Sequence, residues 1–215
     1  MHALVLTTLL ALPLYPINPI KQDTLDLMNV HFSVGLTAPN GLVKTGVEFS
    51  TKYEFLVVHP LVLRVAVDYR FSQVNHVRYP PGLVFGPLLS LEALYYRGTN
   101  RLTGFVGGGA VLALYDHHTS RSASDSLVLA ENGGITDVGL KKTYGYRLTF
   151  GLRFHRTYSL EVSITDVRPS FVYSSDLGNG SYSRRYDSAR FNDFRVSFGY
   201  LLPLWVGRSH ARGPG

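Results

Sequence analysis

The chain has 215 residues, of which 45% are hydrophobic and 13% aromatic, and its formal net charge at pH 7 is +6. This composition excludes a disordered or collagen-like protein and fits a single all-β domain. The absence of cysteine excludes disulfide bonds and cysteine-ligated metal sites, and because the basic residues are scattered rather than clustered, we expect no nucleic-acid binding.

The N-terminal segment contains an apolar run from Ala3 to Leu14. This run is too short for a transmembrane helix but long enough for the core of a signal peptide. We therefore interpret residues 1–20 as a signal peptide and residues 21–28 as a periplasmic lead-in. A short amphipathic lead-in is the alternative for residues 1–20, because neither a basic start nor a clear cleavage motif accompanies the apolar run.

From residue 29 onward, apolar and polar residues alternate with a period of two, which predicts β-strands. Pro87, Pro169 and an apparent change of phase near Asp166 suggest bulges in two of these strands. The run from Gly107 to Gly109 is not followed by a helix pattern or a P-loop lysine, so we interpret it as a site of close approach between strands or of bending of the barrel wall. Eight segments are predicted as strands, near residues 30–38, 46–57, 61–72, 83–97, 102–115, 143–155, 158–174 and 193–204. The alternation is less strict in 83–97 and 158–174, and the segment 102–115 is ambiguous.

The connections between these segments alternate in length. Short turns on one side and long loops on the other are typical of an outer-membrane barrel with an even number of strands. We therefore predict an eight-stranded antiparallel up-and-down transmembrane β-barrel over residues 29–205, followed by a C-terminal tail at 206–215. The short connections are His59-Pro60, Gly98-Thr99-Asn100 and Arg156-Thr157, the long ones cover about 73–82, 118–136 and 175–190, and the first connection, near Asn40-Gly41, is short although it falls on the long side.

The polar faces of the predicted strands carry charged residues of both signs. A barrel in lipid turns its apolar faces outward, because lipid replaces water as the outer solvent. The charged side chains then lie inside, where we expect them to pair and to fill the barrel rather than line an open pore. The predicted interior charge network consists of Glu48, Lys52, Glu54, Arg64, Asp68, Arg70, Glu92, Arg147, Arg153, Glu161, Arg168, Asp193 and Arg195.

Aromatic residues occur near both ends of the apolar faces. If successive strands alternate in direction, these residues form two girdles at the two membrane interfaces. A soluble barrel of the lipocalin type would not need such rings at both ends. The predicted girdle residues are Tyr53, Phe55, Tyr69, Phe71, Tyr95, Tyr144, Tyr146, Phe154, Tyr158, Phe171, Tyr173 and Trp205.

Together these features give the chain a resemblance to the small outer-membrane proteins of the OmpA, OmpX and OmpW type. The segment from Phe194 to Trp205 is similar to the C-terminal signal that the barrel-assembly machinery recognises in such proteins, although here residues 206–215 follow it. The resemblance implies a location in the bacterial outer membrane, contacts with membrane lipid and lipopolysaccharide, and insertion by the barrel-assembly machinery. We expect a monomer.

One short segment invites comparison with a lipid-modifying enzyme. The spacing of His118 and Ser120 is similar to that in outer-membrane lipid A deacylases, but Arg121 stands where an asparagine often follows. His117 and His118 are adjacent, so in a strand they point to opposite faces and are poorly placed to share a metal. We interpret the segment from Asp116 as ordinary loop residues and expect no catalytic, cofactor or metal site.

The predicted function is a structural or surface-interaction role in the outer membrane, carried by the long loops and serving envelope integrity or contact with partners. Arg184, Arg185 and Arg190 are candidates to bind lipopolysaccharide phosphates, with ordinary solvated charges as the alternative. The main alternative function is a narrow channel for small solutes. A lipid A-modifying enzyme that uses His118 and Ser120 is the third hypothesis.

Overall fold

The computed structural model describes residues 28–38, 44–74, 82–99, 101–119, 135–176, 182–188 and 190–205. Within these ranges no helix is long and apolar enough to cross a membrane. The segments interpreted as a signal peptide and as a C-terminal tail lie outside the described residues.

The described residues form twelve strands, eight of which close into an antiparallel barrel. The barrel strands are β1, β2, β3, β4, β5, β8, β9 and β12, and the ring closes through the pairing of β1 with β12 and of β3 with β4. The predicted eight-stranded up-and-down barrel is therefore confirmed. The strands are β1 (Met28–Thr37), β2 (Gly46–Val58), β3 (Leu61–Val74), β4 (Gly82–Gly98), β5 (Leu102–Ala113), β6 (Asp116–Thr119), β7 (Ile135–Leu140), β8 (Thr143–Phe154), β9 (Tyr158–Val167), β10 (Ser170–Asp176), β11 (Tyr182–Ser188) and β12 (Phe191–Trp205).

The two faces of each barrel strand follow directly from the period of two in the sequence. Along β3, Leu63 and Val65 are exposed, whereas Arg64 and Ala66 are completely buried. The exposed face is apolar and the buried face is polar, which is the reverse of a barrel dissolved in water. An apolar outer face of this kind is stable where lipid, rather than water, surrounds the barrel.

Four short strands continue the barrel wall at the end that carries the long loops. β6 pairs with the first residues of β4, while β7 and β11 pair with β10 in a separate three-stranded sheet. The assignment of residues 118–136 and 175–190 to loops is therefore wrong for β11 and for parts of β6, β7 and β10. The sequence of β11 lacks an apolar alternation, and its conformation is set by its ladder with β10.

The predicted change of phase near Asp166 is also wrong. The strand is interrupted at Arg168-Pro169, because proline has no N–H to donate to a ladder. Odd-numbered residues remain buried on both sides of this break. As a consequence, the side chain of Arg168 is 68% exposed and lies outside the charge network, while Phe171 and Tyr173 are buried and do not belong to an outer girdle.

The wall is irregular near Pro87, as the sequence suggested. Beyond Leu88 the ladder between β4 and β5 stops, and it resumes at Phe85 with β6. Gly86 lies within this interruption and has a φ of 133°, a conformation that favours glycine. The interruption therefore marks the point where β5 gives way to β6.

β4 and β5 approach each other closely at the run of three glycines. A Cβ atom at Gly109 would lie 1.8 Å from the carbonyl oxygen of Leu91, and one at Gly107 would lie 2.0 Å from that of Ala93. Any side chain at these two positions would collide with the backbone of β4. The glycines therefore permit the close strand approach that the sequence indicated.

Candidate functional site

Among the residues that the structure describes, the interior of the barrel contains six basic and six acidic side chains, each at most 6% exposed. Their formal charges cancel. They are twelve of the thirteen residues predicted for the charge network, and the exception is Arg168. The basic residues are Lys52, Arg64, Arg70, Arg147, Arg153 and Arg195, and the acidic residues are Glu48, Glu54, Asp68, Glu92, Glu161 and Asp193.

Arg64 is the centre of the part of the network nearer the short turns. Its Nη2 atom lies 2.7 Å from Oε1 of Glu54 and 3.1 Å from Oε1 of Glu161. Lys52 reaches Glu161 from β2, with its Nζ atom 2.5 Å from Oε2. Arg153 on β8 donates a hydrogen bond to Glu54. These charge-assisted contacts connect strands from opposite sides of the ring.

Arg147 and Arg195 hold the part of the network nearer the long loops. Nη1 of Arg147 lies 2.5 Å from Oδ2 of Asp68, and Nη1 of Arg195 lies 3.3 Å from the other oxygen of the same carboxylate. Arg195 also donates a hydrogen bond to Glu48. Each acidic group in this region thus has a basic group from another strand beside it.

Glu92 connects the two parts of the network. Its carboxylate lies 3.5 Å from Nη1 of Arg147 and 3.9 Å from Nη1 of Arg64, and it accepts a hydrogen bond from the hydroxyl of Thr149. A further pair, Arg70 with Asp193, lies nearer the long loops. Charges therefore bridge the interior at several levels of the barrel.

Apolar clusters pack the interior beyond the charges. At the short-turn end Arg153 stacks on Tyr96, with its guanidinium carbon 4.5 Å from the ring centroid. Because Tyr96 belongs to the apolar cluster at this end, the contact joins the charge network to that cluster. An eight-stranded barrel is only wide enough for side chains to fill it. The cluster at the long-loop end consists of Val74, Val84, Leu88, Val111, Ala113, Tyr115, Val167, Phe171, Tyr173 and Phe191, and the cluster at the short-turn end consists of Val62, Leu94, Tyr96 and Phe105, with Leu56 beside it.

The interior also brings together a serine, a histidine and a carboxylate that sequence reasoning missed. Oγ of Ser159 lies 2.7 Å from Nε2 of His31, and Nδ1 of His31 lies 3.2 Å from Oε1 of Glu161 without hydrogen-bond alignment. The order resembles a catalytic triad. All three side chains are at most 1% exposed, and Lys52 and Arg64 already bind Glu161. This arrangement belongs to the packed interior.

The sequence candidates at the long-loop end are dispersed. His117 is buried against Phe171, at a centroid distance of 5.3 Å, whereas His118 is exposed on the other face of β6. Ser120 lies outside the described residues. Arg184 and Arg185 fall within β11, and Nη2 of Arg190 lies 3.0 Å from Oδ2 of Asp166.

The outer face carries most of the predicted girdle residues. The side chain of Trp205 lies outside the described part of the structure. Aromatic residues such as Phe32, Phe150 and Phe198 are also exposed between the two rims, so the outer aromatic surface is not confined to two rings. The predicted girdle residues that the structure places on the outer face are Tyr53, Phe55, Tyr69, Phe71, Tyr95, Tyr144, Tyr146, Phe154 and Tyr158.

Comparison with solved structures relates this fold to known barrels. The outer membrane protein OprG from Pseudomonas aeruginosa superposes with a TM-score of 0.60 and 11% identity, over 82% of this chain and 95% of OprG. The E. coli outer membrane protein W (TM-score 0.45, 14% identity, 82% of this chain and 98% of that one) is less similar. So is the N-terminal β-barrel domain of Pseudomonas aeruginosa OprF (TM-score 0.41, 13% identity, 81% and 97%).

No protein-family model and no curated protein sequence matches the chain. The similarity to OprG therefore establishes the fold alone. At that level the resemblance to small eight-stranded outer-membrane barrels, predicted from the sequence, is confirmed.

Proposed function

We propose that this chain, which has the fold of a small outer-membrane barrel, resides in the bacterial outer membrane as a closed scaffold that does not conduct solutes. In this role the barrel anchors the long-loop end at the cell surface, where it contributes to envelope integrity or contacts partners. The short turns face the periplasm, as is usual for barrels of this type.

The observation that carries the proposal is that the twelve described charges of the interior are balanced in sign and that each has an oppositely charged partner. Six basic and six acidic side chains meet inside the barrel, and apolar clusters pack beyond them. A water-filled pathway would have to displace these side chains. Separating them would leave buried charges without partners, at a cost of several kcal/mol for each ion. A closed interior is therefore the more stable state.

The surface role is supported by the long-loop end of the molecule. The three-stranded sheet of β7, β10 and β11 extends the wall there, and Tyr186 on β11 is 57% exposed. A sheet standing beyond the bilayer gives the loops a rigid base. Loops on a rigid base are the usual location of binding residues. Lipopolysaccharide is a candidate partner, because Arg168 and Arg190 also lie at this end with mostly exposed side chains.

The proposal includes no catalytic step. The hydroxyl of Ser159 is enclosed in the interior, and the carboxylate of Glu161 is held by two cations. A substrate would have to enter the packed barrel to reach either group. We therefore regard the contact of Ser159 with His31 as a structural hydrogen bond.

Planar-bilayer recording tests the closed barrel against the channel alternative. Purified, refolded protein should give no stable unitary current steps at amounts at which a porin of known conductance gives them readily. Successful folding would be established beforehand by the temperature-dependent gel mobility typical of membrane barrels. Uniform, reproducible current steps would contradict the closed scaffold and support a narrow channel.

A further inference from the structure

The outer face of the barrel has a groove centred on Gly104, which we call the Gly104 groove. It has a volume of about 520 Å³. Gly104 faces outward on β5, directly between Arg97 on β4 and Leu152 on β8. The next row of outward residues contains Tyr95 and Phe150, whose side chains form one wall. The groove exists because glycine leaves a gap in an otherwise continuous apolar surface.

The floor of the groove has room for additional atoms. The heavy atoms nearest to a Cβ built on Gly104 are the carbonyl oxygen of Arg97, at 3.6 Å, and Cδ2 of Leu152, at 3.9 Å. Both are ordinary van der Waals distances. Glycine is therefore not required here by close packing of the strands, in contrast to Gly109. A flexible hydrocarbon chain can contact the backbone of β5 in this gap.

The rim beside the groove is basic. Arg97 is exposed at the short-turn end of β4, and the backbone N–H of His155 donates to the carbonyl oxygen of Arg101, so the turns on either side of β5 meet here. The sequences of the three short-turn segments, 57–61, 97–102 and 154–158, include three arginine residues, two histidines and no aspartate or glutamate. An anionic group would meet a favourable potential at this edge.

We propose that the Gly104 groove binds one anionic glycerophospholipid, with an acyl chain lying over Gly104 and the phosphate beside Arg97. This inference rests on the proposed function, since the groove must face a bilayer. The ligand is a phospholipid of the periplasmic leaflet, because the groove opens at the short-turn rim. Guanidinium groups bind phosphate oxygens through paired, charge-assisted hydrogen bonds, which gives Arg97 the chemistry for the headgroup.

A second outer groove provides an internal comparison. This Thr51 groove, with a volume of about 420 Å³, lies between Phe32, Tyr69 and Tyr200 on the other side of the barrel. The described residues that line it carry no charge. It offers hydrocarbon contact without a phosphate partner, so it should not select an anionic headgroup.

Native mass spectrometry of the refolded barrel tests this site. The protein is released from micelles that contain equal amounts of phosphatidylglycerol and phosphatidylcholine with the same acyl chains. The wild type should retain phosphatidylglycerol in preference to phosphatidylcholine. Arg97→Gln should reduce the retained phosphatidylglycerol about fivefold, as expected for one cation near an anionic lipid. Arg97→Lys should keep part of the preference, because it keeps the charge but loses the paired hydrogen bonds of the guanidinium.

Filling the grooves separates specific binding from general lipid contact. Gly104→Leu should reduce the retention of both lipids, while Thr51→Leu should leave it unchanged. Equal retention by the wild type, Arg97→Gln and Gly104→Leu would overturn the site. If the wild type folds into phosphatidylcholine vesicles but shows no headgroup preference in the native mass spectra, this inference alone is contradicted. A wild type unable to fold into vesicles would contradict the proposed function as well.

Discussion

Nη2 of Arg64 on β3 lies 3.1 Å from Oε1 of Glu161 on β9, a strand that is four strands away in either direction around the ring. The hydrogen bond between Arg153 on β8 and Glu54 on β2 has the same separation. Both contacts therefore extend across the full width of the barrel. The two contacts therefore place charged side chains across the axis of the barrel in this part of the interior.

The first prediction concerns the stability that depends on Arg64. Arg64→Ala leaves Glu54 and Glu161 each with one fewer cation in a confined space. We expect the free energy of unfolding to fall by about 3 to 5 kcal/mol, the usual cost of breaking a buried ion pair from one side. Urea unfolding in lipid vesicles measures this change. Leu63→Ala, the neighbouring outward substitution, is the control and should cost much less.

The second prediction tests the lipid-facing surface at two depths on one strand. Leu148→Arg places a charge at the middle of β8 and should destabilise the barrel by about 2 to 4 kcal/mol. Tyr144→Arg places the same charge near the rim, where the cost should be about 0 to 1 kcal/mol. Both native side chains are exposed on the outer face. Equal costs in a refolding titration would argue against a membrane-spanning β8.

The third prediction compares two glycines on β5. Gly109→Ala would place a Cβ atom 1.8 Å from the carbonyl oxygen of Leu91, so the strands must separate. We expect a loss of about 1 to 3 kcal/mol in the free energy of unfolding. Gly104→Ala meets no such obstacle and should change the stability by less than about 1 kcal/mol. If thermal or urea unfolding ranked the two variants in the opposite order, the register of β4 and β5 would be wrong.

The fourth prediction concerns orientation in the cell. Trypsin added to intact cells should cleave after Arg121, in the long connection before β7, and should leave Arg156 in a short turn intact. Cleavage after Arg184 should be slower than after Arg121, because Arg184 lies in the ladder of β11 with β10. Mass spectrometry of the released peptides identifies the sites. Cleavage confined to Arg156 would mean that the barrel is inserted the other way round.

The sequence predicted the barrel well because each strand has one face for lipid and one for the interior. This alternation determined the direction of Arg64 and Val65 without any knowledge of their partners. It failed for Arg168, Phe171 and Tyr173, since a proline near the end of a strand can either shift the phase or merely interrupt the ladder. The sequence on either side of the proline is compatible with both outcomes, so sequence alone does not decide between them.

Partners across the interior were not predictable to the same degree. Ser159 and His31 are 128 positions apart and meet because β9 and β1 both pair with β12. The alternation places both side chains inside, but it does not specify the stagger of strands around the ring. β11 was missed for a different reason: its sequence carries no apolar face, and only its pairing with β10 makes it a strand.

The central claim, that the apolar face of this barrel lies in a lipid bilayer, is tested most directly by the depth of single labels. The chain has no cysteine, so single cysteines at Tyr144, Leu148 and Phe154 can carry a fluorophore on the outer face of β8. In vesicles of lipids brominated deep in their acyl chains, quenching should be strongest at Leu148 and weaker at both ends. Absence of lipid quenching at all three positions, together with quenching by a water-soluble reagent at Leu148, would contradict the account.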